Sequence, residues 1–287
     1  MFWALVISLF ITILFSTQDA LAWGPATHLE IGMRILHHAD MLGPAIVGVI
    51  EKYRYDFLYG NISADIVVGK NFVEELKHCH NWRFGFRLLK EAKSAPQRAF
   101  SYGYLSHLAA DTVAHNIFIP EMMVKSFSAR ILRHIYWELR FDALINKDVW
   151  RLPEKMVKKV HPECDLLLKK TLEGNTPLSF KTNKTIFSSL LTLQRMKRWH
   201  TMLDLLSSSS RWKLKRTDRE RYLNLCMDAV IDILTHGRRA HCLNADPTGK
   251  KNLEQAKRFK KKLKDLKRSG RNWEPVMEDM LKDIVVR

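Results

Sequence analysis

Tyr102-Gly-Tyr-Leu-Ser-His107-Leu-Ala-Ala-Asp111-Thr-Val-Ala-His115-Asn-Ile-Phe-Ile-Pro120 contains no helix breaker between Tyr104 and Ile119. Read as a helix, it puts His107, Asp111 and His115 on one face, because each four-residue step advances about 400° at 3.6 residues per turn. Imidazole and carboxylate groups in such a row are good zinc ligands. The central carboxylate, with two oxygens, can bridge two metals.

The rest of the chain reads the same way. Ile31 and Ile35, then Ile131, Leu132, Ile135 and Leu139, then Leu225, Ala229 and Ile233 recur at three- and four-residue steps, and no run alternates strictly between apolar and polar. The expected fold class is all-α. Punctuation falls at Gly43-Pro44, around Pro96, at Pro120, at Pro153 and at Asn244-Ala-Asp-Pro-Thr-Gly249. The last of these sets the expected division into a helical domain, 23–245, and a tail, 246–287. No internal repeat is visible, and residues 149–240 read as helical scaffold.

Met1 to Ala22 reads as a secretory signal. Its apolar run, Phe2 to Phe15, is shorter than the roughly 20 residues of a spanning helix, and Ala20-Leu21-Ala22 is a small-x-small cleavage site. Cleavage between Ala22 and Trp23 predicts a secreted or periplasmic protein that starts with tryptophan. A free α-amino nitrogen can chelate a metal together with its own carbonyl oxygen, which a peptide nitrogen cannot.

The chain carries 47 Lys and Arg against 30 Asp and Glu, a formal charge of +17. All the cations lie beyond the leader. Such a balance favours phosphate-rich partners, either anionic lipid or nucleic acid. Between Lys250 and Arg271 lie eleven of these cations, with Leu253, Ala256, Phe259, Leu263 and Leu266 at helical spacing. This basic amphipathic helix has two readings. Lys257, Arg258, Phe259, Lys260, Lys261 and Lys264 dock on an anionic membrane, or the apolar stripe packs on the domain and the charges face water. Cys79, Cys164, Cys226 and Cys242 are too few and too scattered for a disulfide framework, and no CxxC occurs.

Further candidate ligands accompany the central row. His134 and Glu138 repeat the four-residue step, His28 comes five residues after Trp23, His78-Cys79-His80 forms a cluster, and Asp65 sits in Gly60-Asn-Ile-Ser-Ala-Asp65-Ile. By itself Asp65 reads as a helix N-cap. His236 and His241, five apart, point away from each other on a helix and read as surface or capping residues. Asn61-Ile-Ser63 is a glycosylation triplet, but a glycan there would crowd Asp65.

The Trp23 start with His28, the Asp65 element, His80-Asn-Trp, Gly-Tyr-Leu-Ser-His-x3-Asp-x3-His and His-x3-Glu together resemble the zinc-dependent phospholipase C family. That family shares its all-α fold with trinuclear zinc nucleases that cut single-stranded nucleic acid. The resemblance runs from Trp23 to about Ala143 and implies three zinc ions. The first would be held by the Trp23 amine and carbonyl, His28 and one oxygen of Asp111. The second would take the other Asp111 oxygen with His80, His107 and Asp65, His78 being the alternative to His80. The third would lie between His115, His134 and Glu138. Asp65 would orient or deprotonate the attacking water.

Multinuclear zinc suits phosphodiester hydrolysis, since zinc lowers the pKa of bound water to about 7 and neighbouring metals stabilise the reacting oxygens. The first expectation is therefore a phospholipase C that splits phospholipid into diacylglycerol and a phosphorylated head group. A nuclease or phosphatase built on the same metals is the alternative, and a non-catalytic metal- or membrane-binding protein ranks third. A choline head group would need an aromatic cage, for which Phe72, Trp82, Phe84, Tyr102 and Tyr104 are candidates.

Overall fold

The computed structural model describes residues 23–67, 79–129, 134–146, 148–152, 156, 161–172, 178–195, 201 and 212–285. The leader, His78, Phe72 and Pro153 lie outside them, as do the side chains of His134 and Ile135. Helices run in the order α1 (Pro25–His37), α2 (Pro44–Lys52), α3 (Arg54–Ser63), α4 (Trp82–Glu91), α5 (Ala95–Val113), α6 (Ile119–Lys125), α7 (His134–Asp142), α8 (Pro162–Leu172), α9 (Phe180–Arg195), α10 (Arg216–His236), α11 (Lys250–Arg268) and α12 (Glu274–Val285). No strand occurs among the described residues, so the fold is all-α, as the periodicity predicts. None of these helices is long and apolar enough to cross a membrane.

Helix α5 is the axis of the molecule. Ser94 starts it with a capping box, its hydroxyl accepting from Gln97 N while the Gln97 side chain accepts from Ser94 N. From Ala99 to His115 every residue but Tyr102 is buried, the mark of a helix surrounded by others. Helices α3, α4 and α10 pack around it. The α3 crossing is the closest. A Cβ added to Gly103 would lie 2.0 Å from the Phe57 carbonyl oxygen, and one added to Gly60 would lie 2.0 Å from that of Phe100. Two glycines thus let two backbones touch, which brings the C-terminal end of α3, with Asn61 in its last turn and Asp65 just beyond it, against His107 and Asp111 of α5.

Pro120 does not end this helix, contrary to its reading as punctuation. Ala114–Phe118 forms a π turn that leads directly into α6. A proline inside an α-helix clashes with the carbonyl four residues earlier and cannot hydrogen-bond to it. The wider turn relieves the clash, and the stranded Asn116 carbonyl faces Asn252 Nδ2 at 3.4 Å. Trp23, Phe118, Phe141 and Tyr222 then form an aromatic cluster, with Trp23 4.7 Å from Phe118 and 4.1 Å from Phe141 between ring centres. The cluster joins the start of the described chain to α7 and α10 across the π turn.

Helices α8 and α9 act as scaffold. Asp165 accepts from Tyr59 Oη at 2.6 Å and pairs with Lys184, while His161 contacts Asp56 at 2.7 Å, so α8 is fastened to α3 and α9 to α8. The tail forms the helix its spacing predicts. Leu253, Ala256 and Leu263 are buried, and Phe259 and Leu263 join Val124, Phe127, Met280 and Ile284 in a second small core between α6, α11 and α12. Its apolar stripe is therefore spent on the protein, and Lys257, Arg258 and Lys261 face water with Lys260 and Lys264 half-buried.

Candidate metal centre

Four elements deliver donor atoms to one buried point. Helix α1 supplies His28, a 3-10 turn at Ala64–Ile66 after α3 supplies Asp65, the residues before α4 supply His80, and α5 supplies His107 and Asp111. His107 Nε2 and Asp111 Oδ2 are 3.2 Å apart, one helical turn from each other. His28 Nε2 lies 3.3 Å from Asp111 Oδ1, and its ring stacks on that of His107 at 3.8 Å. His80 Nε2 stands 3.2 Å from Asp65 Oδ1, 3.7 Å from Asp111 Oδ2 and 3.1 Å from His107 Nε2. Among the described residues, donor atoms within 4.8 Å of one another fall into two groups, His28 with His107 and Asp111, and Asp65 with His80 and His107.

Asp65 is no helix N-cap, because it lies inside the 3-10 turn Ala64–Ile66, which ends at an extended Val67, and its carboxylate is turned to His80. His80 rather than a neighbouring scaffold position enters the centre for a local reason. The Asn81 side chain caps α4 by accepting from Phe84 N at 2.8 Å, and the Tyr104 hydroxyl donates to the Cys79 carbonyl at 2.9 Å. The backbone is held on both sides of His80. Cys79 itself is buried, its Sγ 3.4 Å from His80 Nδ1, and no disulfide forms among the described residues.

Protonation is set by these neighbours. A carbonyl can only accept, so the 2.8 Å contact between His107 Nδ1 and the Asn61 carbonyl keeps a proton on Nδ1 and leaves Nε2 as the nitrogen that faces the centre. This is the real use of Asn61, which is fully buried and inaccessible to a glycan. Burial pushes the His28 pKa down, and the neighbouring His107 charge adds to that, so His28 stays neutral. Burial also works against charge on His107, but Asp111 and Asp65 outweigh it and raise its pKa. For Asp111, burial favours the neutral acid, yet His107 holds the carboxyl well below its ordinary range.

The donor set fits a cation. Neither oxygen of Asp111 and neither ring nitrogen of His28 has a hydrogen bond of proper geometry, although all are fully buried. Burying an ionised carboxylate so poorly solvated costs on the order of several kcal/mol, which a metal ion offsets. Imidazole nitrogens and carboxylate oxygens at this density are the ligands zinc takes.

His115 stands in the π turn, one turn beyond Asp111, with Nδ1 2.6 Å from the Pro247 carbonyl. Glu138 on α7 is buried, and burial lifts its pKa well above the ordinary carboxyl value. Among the proposed cage residues, Phe84 and Tyr104 are buried in the core, and the Trp82 indole donates to the Ala245 carbonyl at 2.9 Å. His236 is exposed and pairs with Asp232 at 2.8 Å within α10.

A family model described as zinc-dependent phospholipase C matches residues 27–190, more than half of the chain. The chain belongs to the zinc-dependent phospholipase C family. Searches of curated proteins and of solved structures returned no match. As a member of this family, the protein has His28, Asp65, His80, His107, Asp111, His115, His134 and Glu138 inside the matched stretch, whereas Trp23 and helices α10 to α12 lie beyond it.

Asp142 carries no sequence signal but sits beside the start of the described chain. Thr27 Oγ1 donates to its carboxylate, and the space beyond the Gly24 Cα is filled by the same group. Burial pushes its pKa up to about 7. Between the ordinary aspartate range and pH 7 the folded chain therefore holds a proton that unfolding releases, so stability falls as pH rises through that window and is level above it. Asp142→Asn removes the group. Thermal midpoints of the metal-stripped chain measured from pH 5 to 8 should fall by several degrees for the wild type and less for the variant, each kcal/mol being worth roughly 2–4 °C. Parallel curves would count against a raised Asp142.

Proposed function

We propose that this protein is a secreted phospholipase C that hydrolyses glycerophospholipid to diacylglycerol and a phosphorylated head group at a trinuclear zinc centre. The observation that carries this reading is the buried convergence of His28, Asp65, His80, His107 and Asp111 in a chain of the zinc-dependent phospholipase C family. Zinc, when bound, supplies Lewis acidity and an acidified water. The protein supplies everything that orients them. Asp111, ionised and with one oxygen facing His28 and the other facing His107, would hold metal together with both imidazoles. His107 presents Nε2 because the Asn61 carbonyl holds the opposite nitrogen's proton. Asp65, next to His80, is placed to accept a proton from the attacking water. His115, Glu138 and His134 would hold the third ion.

The first ion is assigned to the amine and carbonyl of Trp23, freed by cleavage after Ala22. In support, the Trp23 indole donates to the Ala110 carbonyl at 3.1 Å, which anchors this residue beside Asp111. For the tail, an electrostatic role suits the packing better than insertion. Phe259 is engaged in the second core, while Lys257, Arg258 and Lys261 face water and can meet an anionic lipid surface at about 1 kcal/mol each.

The deciding experiment uses chain that begins at Trp23. Near three zinc ions per chain, with diacylglycerol released from mixed phospholipid vesicles, is the expected result; cleavage of single-stranded DNA on the same sample would promote a nuclease instead. A chain extended by one methionine before Trp23 moves the amine away and should lose zinc and activity while keeping its helicity. Equal zinc content and activity in both forms would remove Trp23 from the ligand set.

A further inference from the structure

Residues 245–252 lie outside the family match yet close over His115. The Trp82 indole donates to the Ala245 carbonyl at 2.9 Å, Asn116 Nδ2 donates to the Asp246 carbonyl at 2.8 Å, and Asn252 Nδ2 returns to Asn116 Oδ1 at 3.0 Å. Inside the turn, Thr248 N donates to Asp246 Oδ1 at 3.1 Å. At its end Gly249 has φ +58°, and a Cβ there would fall 2.4 Å from His115 Cβ and 2.5 Å from the His115 carbonyl oxygen. Glycine is required twice over, by backbone conformation and by space. The turn is thus seated on the one ligand candidate that stands in a π turn.

We propose that this turn is the positioning element for His115 as a metal ligand, acting through the Pro247 carbonyl. The inference rests on the metal reading given above, and it makes the tail part of the centre. The Pro247 carbonyl, 2.6 Å from His115 Nδ1, accepts and cannot donate, so the proton stays on Nδ1 and the lone pair on Nε2. Outer partners of this kind set both the tautomer and the ring orientation of a ligating histidine. Because α11 starts at Lys250, directly after the turn, its docking on α6 and the aim of His115 are coupled. If His115 holds a zinc ion, the turn that aims it and the tail that follows would be held together, so a displaced tail would weaken the hold of His115 on that ion. The π turn makes the coupling possible, since the widened backbone around Asn116 is where the turn and Asn252 attach.

Two variants of the full chain test this, Gly249→Ala, which forces the turn away from His115, and Asn116→Ala, which removes both side-chain ties to Asp246 and Asn252 and introduces no clash. Nitrogen-15 NMR of the metal-stripped proteins reads the His115 tautomer directly. Wild type should show the Nδ1-protonated form, and the variants a mixture of tautomers. Chelator competition should show one zinc ion bound 10–100-fold more weakly in the variants, with the others unchanged. Circular dichroism separates this from unfolding, and if Gly249→Ala fails to fold, Asn116→Ala decides. Retention of the wild-type tautomer and of wild-type affinity for every ion would overturn the proposal. Wild-type protein that binds no zinc would sink the metal reading instead, and the tautomer measurement would still report on the turn.

Discussion

Asp111→Asn should lower phospholipid hydrolysis by well over ~100-fold, because changing even an outer partner of a metal ligand costs 10–100-fold. The substitution preserves the shape of the side chain but removes the charge that faces both His28 and His107. Two of the three proposed ions depend on this carboxylate, so bound zinc should drop by about two per chain rather than by one. The magnitude is large because no other described carboxylate reaches both imidazoles; Asp65 is turned to His80. Loss of a single ion, or none, by metal analysis would show that Asp111 does not bridge. In the metal-free state the same change breaks a buried charge pair with His107, whose raised basicity derives from Asp111 and Asp65. Reduced stability of the stripped variant is the expected accompaniment.

The second large effect is structural. Gly103→Ala places a methyl group 2.0 Å from the Phe57 carbonyl, a backbone atom that can yield only if α3 and α5 move apart. Overpacking of this kind costs about 3 kcal/mol, which lowers the thermal midpoint by roughly 5–10 °C. The separation also draws Asn61 away from His107 and Asp65 away from His80, so zinc affinity should fall with stability. Gly85→Ala is the useful contrast. Its Cβ would meet only the ends of the Leu105 and Leu108 side chains, at 2.8 and 2.9 Å, which can rotate aside. Calorimetry of the two variants should therefore separate them clearly, and equal midpoints would mean that the crossing is less tight than 2.0 Å implies.

Much of the centre is legible in the sequence because helical spacing is a local property. The four-residue step from His107 to Asp111 dictates a shared face whatever surrounds it, and the same spacing separates positions 134 and 138 on α7. The basic stripe of α11 is legible for the same reason, but its destination is not. Two readings of Phe259 and Leu263 fit the pattern equally, and the second core with Val124 and Phe127 distinguishes them. Asp65 reads as a cap because the residue type suits one, yet a cap needs a helix beginning directly after it, and here α3 ends instead.

The sequence by itself determined the all-α class, the shared face of His107 and Asp111 on α5 and the histidines and carboxylates that are candidate ligands, since each depends on residue type and periodicity within one element. Only the tertiary structure decided which distant groups, mostly backbone carbonyls, serve them. The Asn61 carbonyl behind His107, the Tyr104 hydroxyl beside His80, the Pro247 carbonyl behind His115 and Asp142 beside Gly24 belong to segments far apart in the chain. Backbone carbonyls are the same in every residue, so their use leaves no mark in the sequence. It is set by close approach of helices and by one glycine in a left-handed turn, and both exist only once the chain has packed.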